Sequence, residues 1–126
     1  MLSARPTAIA LSSFGPMRIN SHLAIVGSGQ FALSGPYDCH VYAIRCPEGI
    51  VLIDSGSGLH ETQIADNLSE DFPGVPVAAV VVTHCHMDHA GGAAGLKERF
   101  QCHVLTNEIT APILRDANEE RNGLRD

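Results

Sequence analysis

At 126 residues the chain has the size of one small domain. Its 44% hydrophobic content and near-zero mean hydropathy are those of a globular chain, not a disordered one, and its apolar runs fall far short of the ~20 residues that a membrane helix needs. The formal charge is −6 and no Lys/Arg cluster occurs, which argues against a nucleic-acid partner, since such a surface carries a basic stripe.

Residues 1–17 hold Pro6 and Pro16 and show no clear period, so a lead-in of loop or short edge strand is expected. All 14 acidic residues lie at or beyond Asp38, while the start carries only Arg5 and Arg18. No Lys/Arg-flanked apolar core or small-residue cleavage pattern stands out, so an ordinary lead-in is preferred to a signal or transit peptide. Cys39, Cys46, Cys85 and Cys102 form no C-x-x-C pair, which fits thiols in a reducing cytoplasm, packed mostly as small apolar groups.

Loose alternation over 18–26, closed by Gly27-Ser28-Gly29, predicts one strand and a turn. Residues 39–46 alternate well, with Cys39, Val41, Ala43 and Arg45 on one face. Pro47-Glu48-Gly49 supplies a turn and 50–53 a second strand, making a hairpin. After Asp54-Ser55-Gly56-Ser57-Gly58, a helix is expected over about 59–72 with Leu59, Ile64, Leu68 and Phe72 as its stripe. Pro73-Gly74-Val75-Pro76 stops it, and 77–83 is the most apolar strand. A short helix over 92–100 and a strand over 102–105 follow. Asn107 is placed to cap a last helix reaching about 117, with Pro112 where it ends or kinks that helix. The tail 118–126 is charged and expected to fray. Strands that alternate with helices late in the chain indicate an α/β layered sheet. The helices suffice for one face, so the other is expected to be apolar and either exposed or covered by a partner.

The chemistry sits in Thr83-His84-Cys85-His86-Met87-Asp88-His89-Ala90-Gly91-Gly92. Three imidazoles and a carboxylate within six residues, at the end of a buried strand, read as a metal site at a sheet rim. Imidazole and carboxylate are donors that zinc, iron and manganese sites use. In an extended segment His84 and His86 share a side, with Cys85 turned inward; Asp88 and His89 lie past the next bend and reach a second ion. Gly91 and Gly92 allow a tight turn into a helix, and Ala90 and Gly91 leave the approach open. The isolated His22, His40, His60 and His103 are read as surface or packed residues.

His84-x-His86-x-Asp88-His89 followed by Ala90-Gly91-Gly92 resembles the signature of the metallo-β-lactamase fold superfamily. Val51-Leu52-Ile53-Asp54-Ser55-Gly56 is similar to that family's strand ending in Asp-Thr-Gly or Asp-Ser-Gly, and residues 38–44 resemble the preceding Asn-x-Tyr-Leu strand. The resemblance spans roughly 20–110 and implies the N-terminal half of an αβ/βα sandwich, a mixed sheet with helices on one face. The implied layout is a lead-in over 1–17, a partial domain over 18–117 and a tail over 118–126.

By the same resemblance, His84 and His86 would hold one metal ion, and Asp88 and His89 a second. Asp88 would also orient the attacking water, and Asp54 would accept hydrogen bonds that orient the ligand loop. Two Zn²⁺ ions are implied for a complete site, with iron or manganese as alternatives. The implied activity is hydrolysis of a small thioester, lactone, lactam or related ester, as in glyoxalase II-like enzymes. A mononuclear-iron persulfide dioxygenase-like oxidoreductase and an inactive fragment or half-domain are the competing expectations. The family's third histidine, bridging aspartate and last histidine have no counterpart after His89, where only His103 follows. A missing C-terminal half or a partner chain is therefore expected to complete the site and to cover the open sheet face.

Overall fold

The computed structural model describes residues 16–116. The lead-in expected over 1–17 lies almost wholly outside this range, and the tail expected over 118–126 lies entirely outside it. In chain order the elements are β1 (Met17–Asn20), β2 (Leu23–Gly27), β3 (Val41–Cys46), β4 (Gly49–Ile53), α1 (Glu61–Asp71), β5 (Val77–Val81), α2 (Met87–Ala90), α3 (Ala93–Phe100), β6 (His103–Leu105) and α4 (Thr110–Asp116). The strands form one mixed sheet in sequential order. β1 to β4 are antiparallel neighbours, with short turns from β1 to β2 and from β3 to β4 and a longer loop over 28–40 between β2 and β3. The longer connections carrying α1, and then α2 and α3, allow β5 and β6 to add in parallel. This is the α/β mixed sheet that the sequence leads one to expect.

Alternation along the strands sorts side chains between the two faces. Ala24, Ala43, Leu52 and Val80 lie opposite one another on four strands, and all four are fully buried. Ile64 and Leu68 of α1 and Leu96 of α3 belong to the same core cluster. The opposite face carries the rows Ile25-Tyr42-Ile53-Val81-Leu105 and Leu23-Ile44-Val51-Ala79-His103. These rows are as apolar as the first, yet Tyr42, Ile44, Val51, Ile53 and Val81 are partly exposed and Leu105 is 54% exposed. Among the described residues, no helix is long and apolar enough to cross a membrane.

Several local expectations need correction. The single strand over 18–26 is a hairpin, because the Asn20 side-chain carbonyl accepts the His22 amide at 2.8 Å and reverses the chain. Helix α1 begins at Glu61, so Leu59 lies outside it and is 63% exposed. Buried Ala65 and Asn67 complete its inner face instead. The Asn67 amide donates to the carbonyls of Val26 at 2.8 Å and Leu33 at 2.9 Å, which fastens α1 to β2 and to the loop after it. Pro112 neither ends nor kinks α4. It falls in the first turn, where its missing N–H has no acceptor within the helix. Asn107 does cap that region, its side-chain oxygen accepting the amides of Ile109 and Thr110.

Candidate metal centre

Parallel β4 and β5 end at the same edge of the sheet, and β3, antiparallel to β4, begins there. That edge therefore gathers residues 38–40 ahead of β3, 54–58 after β4 and 82–89 after β5. The crevice beyond the carboxyl ends of parallel strands is the usual ligand position in open α/β sheets.

The histidine run is not extended throughout. The chain bends over 84–85, His86 is extended at φ −62°, ψ 144°, and α2 then makes one helical turn. The turn brings the rings together: His84 lies 5.1 Å from His86 and 4.1 Å from His89, centroid to centroid. Asp88 Oδ2 is 3.5 Å from His89 Nε2. His84 thus neighbours the other two histidines of the run, and Asp88 adjoins His89. Cys85 is partly exposed, not turned into the core, and Ala90 packs in the core cluster instead of lining the approach.

The two glycines also act differently from expectation. Gly91 and Gly92 both have right-handed helical backbone, φ −60° and −89°, so neither is needed for an unusual dihedral. Close approach requires them: a Cβ on Gly91 would collide with the Ser57 carbonyl, and one on Gly92 with the Ser55 carbonyl. Ser55 completes the strap, donating both its amide, at 2.8 Å, and its hydroxyl, at 2.7 Å, to the His89 carbonyl.

Asp54 is the organising group. It is 4% exposed and has left-handed backbone, φ 67°, a conformation that Asp tolerates better than most residues. Its carboxylate accepts the Thr83 amide at 2.8 Å, the Thr83 hydroxyl at 2.9 Å and His89 Nδ1 at 2.7 Å. The proton assignments follow in sequence. A carboxylate only accepts, so the single Thr83 hydroxyl proton goes to Asp54. The Thr83 oxygen, 2.9 Å from His84 Nδ1, must then accept from that nitrogen. Both His84 and His89 are thereby held as Nδ1–H tautomers, leaving their Nε2 lone pairs free. This is the arrangement in which metal-binding histidines are held by outer carboxylates. By donor chemistry, imidazole nitrogen and carboxylate oxygen suit a divalent cation.

Sequence reasoning assigned no role to Asp38 or to the Cys39 thiol. Buried Asp38 takes the Ser57 amide and hydroxyl on one oxygen, at 2.8 and 2.7 Å, and the Ser34 hydroxyl on the other, at 2.6 Å. It locks the approach to β3 against the turn after β4. Cys39 follows, its amide donating to the Asp88 carbonyl at 3.2 Å. Burial, reinforced by the Asp54 charge, pushes its thiol up to about 12. Donor atoms of Cys39, Asp54 and His89 all lie within 4.8 Å of one another. Cys39, His40, Tyr42, Asp54, Asp88 and His89 help to line a cavity of about 550 Å³ over this edge. His40 belongs to the wall: its Nδ1 meets the Ser28 hydroxyl at 2.8 Å and its ring stacks on Phe31 at 4.7 Å. His22, His60 and His103 are exposed.

The family model for the metallo-beta-lactamase superfamily matches residues 34–125, and the chain belongs to that superfamily. Among solved structures, it is 27% identical to MEM-A1, a subclass B3 metallo-beta-lactamase from a soil metagenome library, with a TM-score of 0.66 over 80% of this chain and 36% of that one. A motif mutant of the Cronobacter sakazakii metallo-beta-lactamase is 25% identical, with a TM-score of 0.65 over 79% of this chain and 36% of that one. The native FEZ-1 metallo-beta-lactamase from Legionella gormanii, at 20% identity, shares the fold with a TM-score of 0.67 over 84% of this chain and 38% of that one. The chain thus spans somewhat more than a third of the length of the proteins it matches.

Proposed function

We propose that this chain carries the metal-binding part of a metal-dependent hydrolase acting on a small thioester, lactone, lactam or related ester. The observation that carries this reading is the hydrogen-bonded series His84–Thr83–Asp54–His89, which frees one nitrogen on each of two facing imidazoles. Zn²⁺ is the ion best matched to imidazole and carboxylate donors in a site that keeps an open position. When bound, such an ion lowers the pKa of a water molecule to about 7 and polarises the carbonyl to be attacked.

The chain's own groups supply the positioning. His84, His86, Asp88 and His89 would hold the cation. Asp88, whose side chain is half exposed, would also accept a hydrogen bond from the attacking water and so orient it. Asp54 and Thr83 keep the rings from rotating and preserve the required tautomers. The remaining ligands, and the cover for the apolar sheet face, would come from a C-terminal half or a partner chain. The partly exposed rows of that face, and the fraction of the similar structures that the chain spans, support this part of the reading.

Zinc binding by equilibrium dialysis, paired with a panel of thioester, lactone and β-lactam substrates, tests the proposal. His86→Ala is expected to weaken zinc binding at least tenfold, and His103→Ala to leave it unchanged. Equal losses from the two changes would show that the ligand set is wrong. One tightly held iron with oxygen uptake on a glutathione persulfide would replace hydrolysis by the oxidoreductase reading.

A further inference from the structure

We infer that this edge of the sheet offers a divalent cation a second position, made by the Cys39 thiolate, the Asp54 carboxylate and His89 Nδ1, exclusive of the position on the histidine face. The inference rests on the preceding reading only in that His89 serves both positions.

Three segments distant in sequence deliver the donors, and backbone bonds hold each in place. The Cys39 amide is bound to the Asp88 carbonyl, the Asp54 amide to Val81 at 2.7 Å, and the His89 carbonyl to Ser55. All three donor atoms already lie within 4.8 Å of one another. A tetrahedral ion with a metal–sulfur distance near 2.3 Å and metal–nitrogen and metal–oxygen distances near 2.0 Å needs its donors about 3.3–3.5 Å apart. Side-chain movements of roughly an ångström reach that geometry. The adjoining cavity provides an entry path and an open fourth position.

His89 belongs to both donor sets, lying beside Asp54 and Cys39 on one side and Asp88 on the other. With the proton on Nδ1, given to Asp54, the Nε2 lone pair faces Asp88 and the other histidines. With the proton on Nε2, that nitrogen faces Asp88 Oδ2 at 3.5 Å, and the Nδ1 lone pair is free for an ion beside Asp54. An ion entering the inner position displaces the proton between His89 and Asp54 and the thiol proton of Cys39. One of these protons moves to Nε2 and the other leaves to solvent. The thiolate adds to the inner position a sulfur donor that the outer set of imidazoles and carboxylate lacks. An ion held there engages His89, which the outer position also needs.

Cobalt(II) titration of the full chain under reducing conditions tests the inference. The expected result is a near-ultraviolet thiolate-to-cobalt charge-transfer band that saturates with one ion. That band should vanish in Cys39→Ser, with cobalt affinity reduced at least tenfold, and persist in His86→Ala. Peptide mapping of the unsubstituted chain gives a second readout that needs no variant: cobalt should protect Cys39 from iodoacetamide more than it protects Cys46. Visible d–d bands without charge transfer and without Cys39 protection would overturn the inner position while leaving the histidine site standing. A charge-transfer band retained in folded Cys39→Ser would assign the sulfur elsewhere and overturn it as well. No cobalt binding of any kind would overturn both readings.

Discussion

Asp54 holds two histidines through different routes, one directly and one through a threonine hydroxyl. Asp54→Asn keeps the shape but replaces an acceptor oxygen with an NH₂ donor, which then opposes either Thr83 or His89. Loss of such an outer carboxylate is expected to weaken zinc binding roughly 10–100-fold, with an unchanged far-ultraviolet circular dichroism spectrum. An unaltered zinc affinity in the folded variant would remove Asp54 from its organising role. The cluster of His84, His86, Asp88 and His89, proposed as donors, was legible in the sequence because the four share a six-residue window. Cys39 was not: its donors lie 15 and 50 positions away, and only the register of β3 against β4 and β5 brings them near.

Between elements, the site depends on how closely the turn after β4 meets the start of α3. Gly92 touches the Ser55 carbonyl, and its amide donates to the Gly56 carbonyl at 3.0 Å. Because the opposing atoms are backbone, they have little room to withdraw. Gly92→Ala is expected to cost about 1–3 kcal/mol, the usual range for overpacking, as read from the urea midpoint. A neutral result would mean that the two turns separate freely. The hairpin β3–β4 and the strand β5 followed directly from alternation and apolar runs. Helix α2 did not, because four residues, Met-Asp-His-Ala, are too few to show a helical period. The break between β1 and β2 was hidden for a related reason: an asparagine side chain made the turn without glycine or proline.

At the scale of the whole molecule, one face of the sheet is closed by α1 and α3 while the other leaves Tyr42, Ile44, Val51, Ile53 and Val81 partly open and Leu105 more so. Contiguous apolar surface of this kind ordinarily serves as a contact face. The isolated chain is expected to bind the dye ANS and to associate with rising concentration in sedimentation velocity. A monomer with no dye binding and a sharp two-state melt would show that the face is satisfied without a partner. The expectation of a single covered face was accessible from the sequence, since it required only counting helices against strands. Which apolar rows would lie open was not accessible, since that depends on cross-strand register.

The strap between Ser55 and the His89 carbonyl also links occupancy to folding. A turn whose carbonyl is held twice by the neighbouring strand's end has little conformational independence, so the proposed metal capture is expected to be coupled to closure of the β4–β5 edge. A cation bound at the proposed site would then act as a folding ligand, and each tenfold excess over its dissociation constant would add about 1.4 kcal/mol to the folded state.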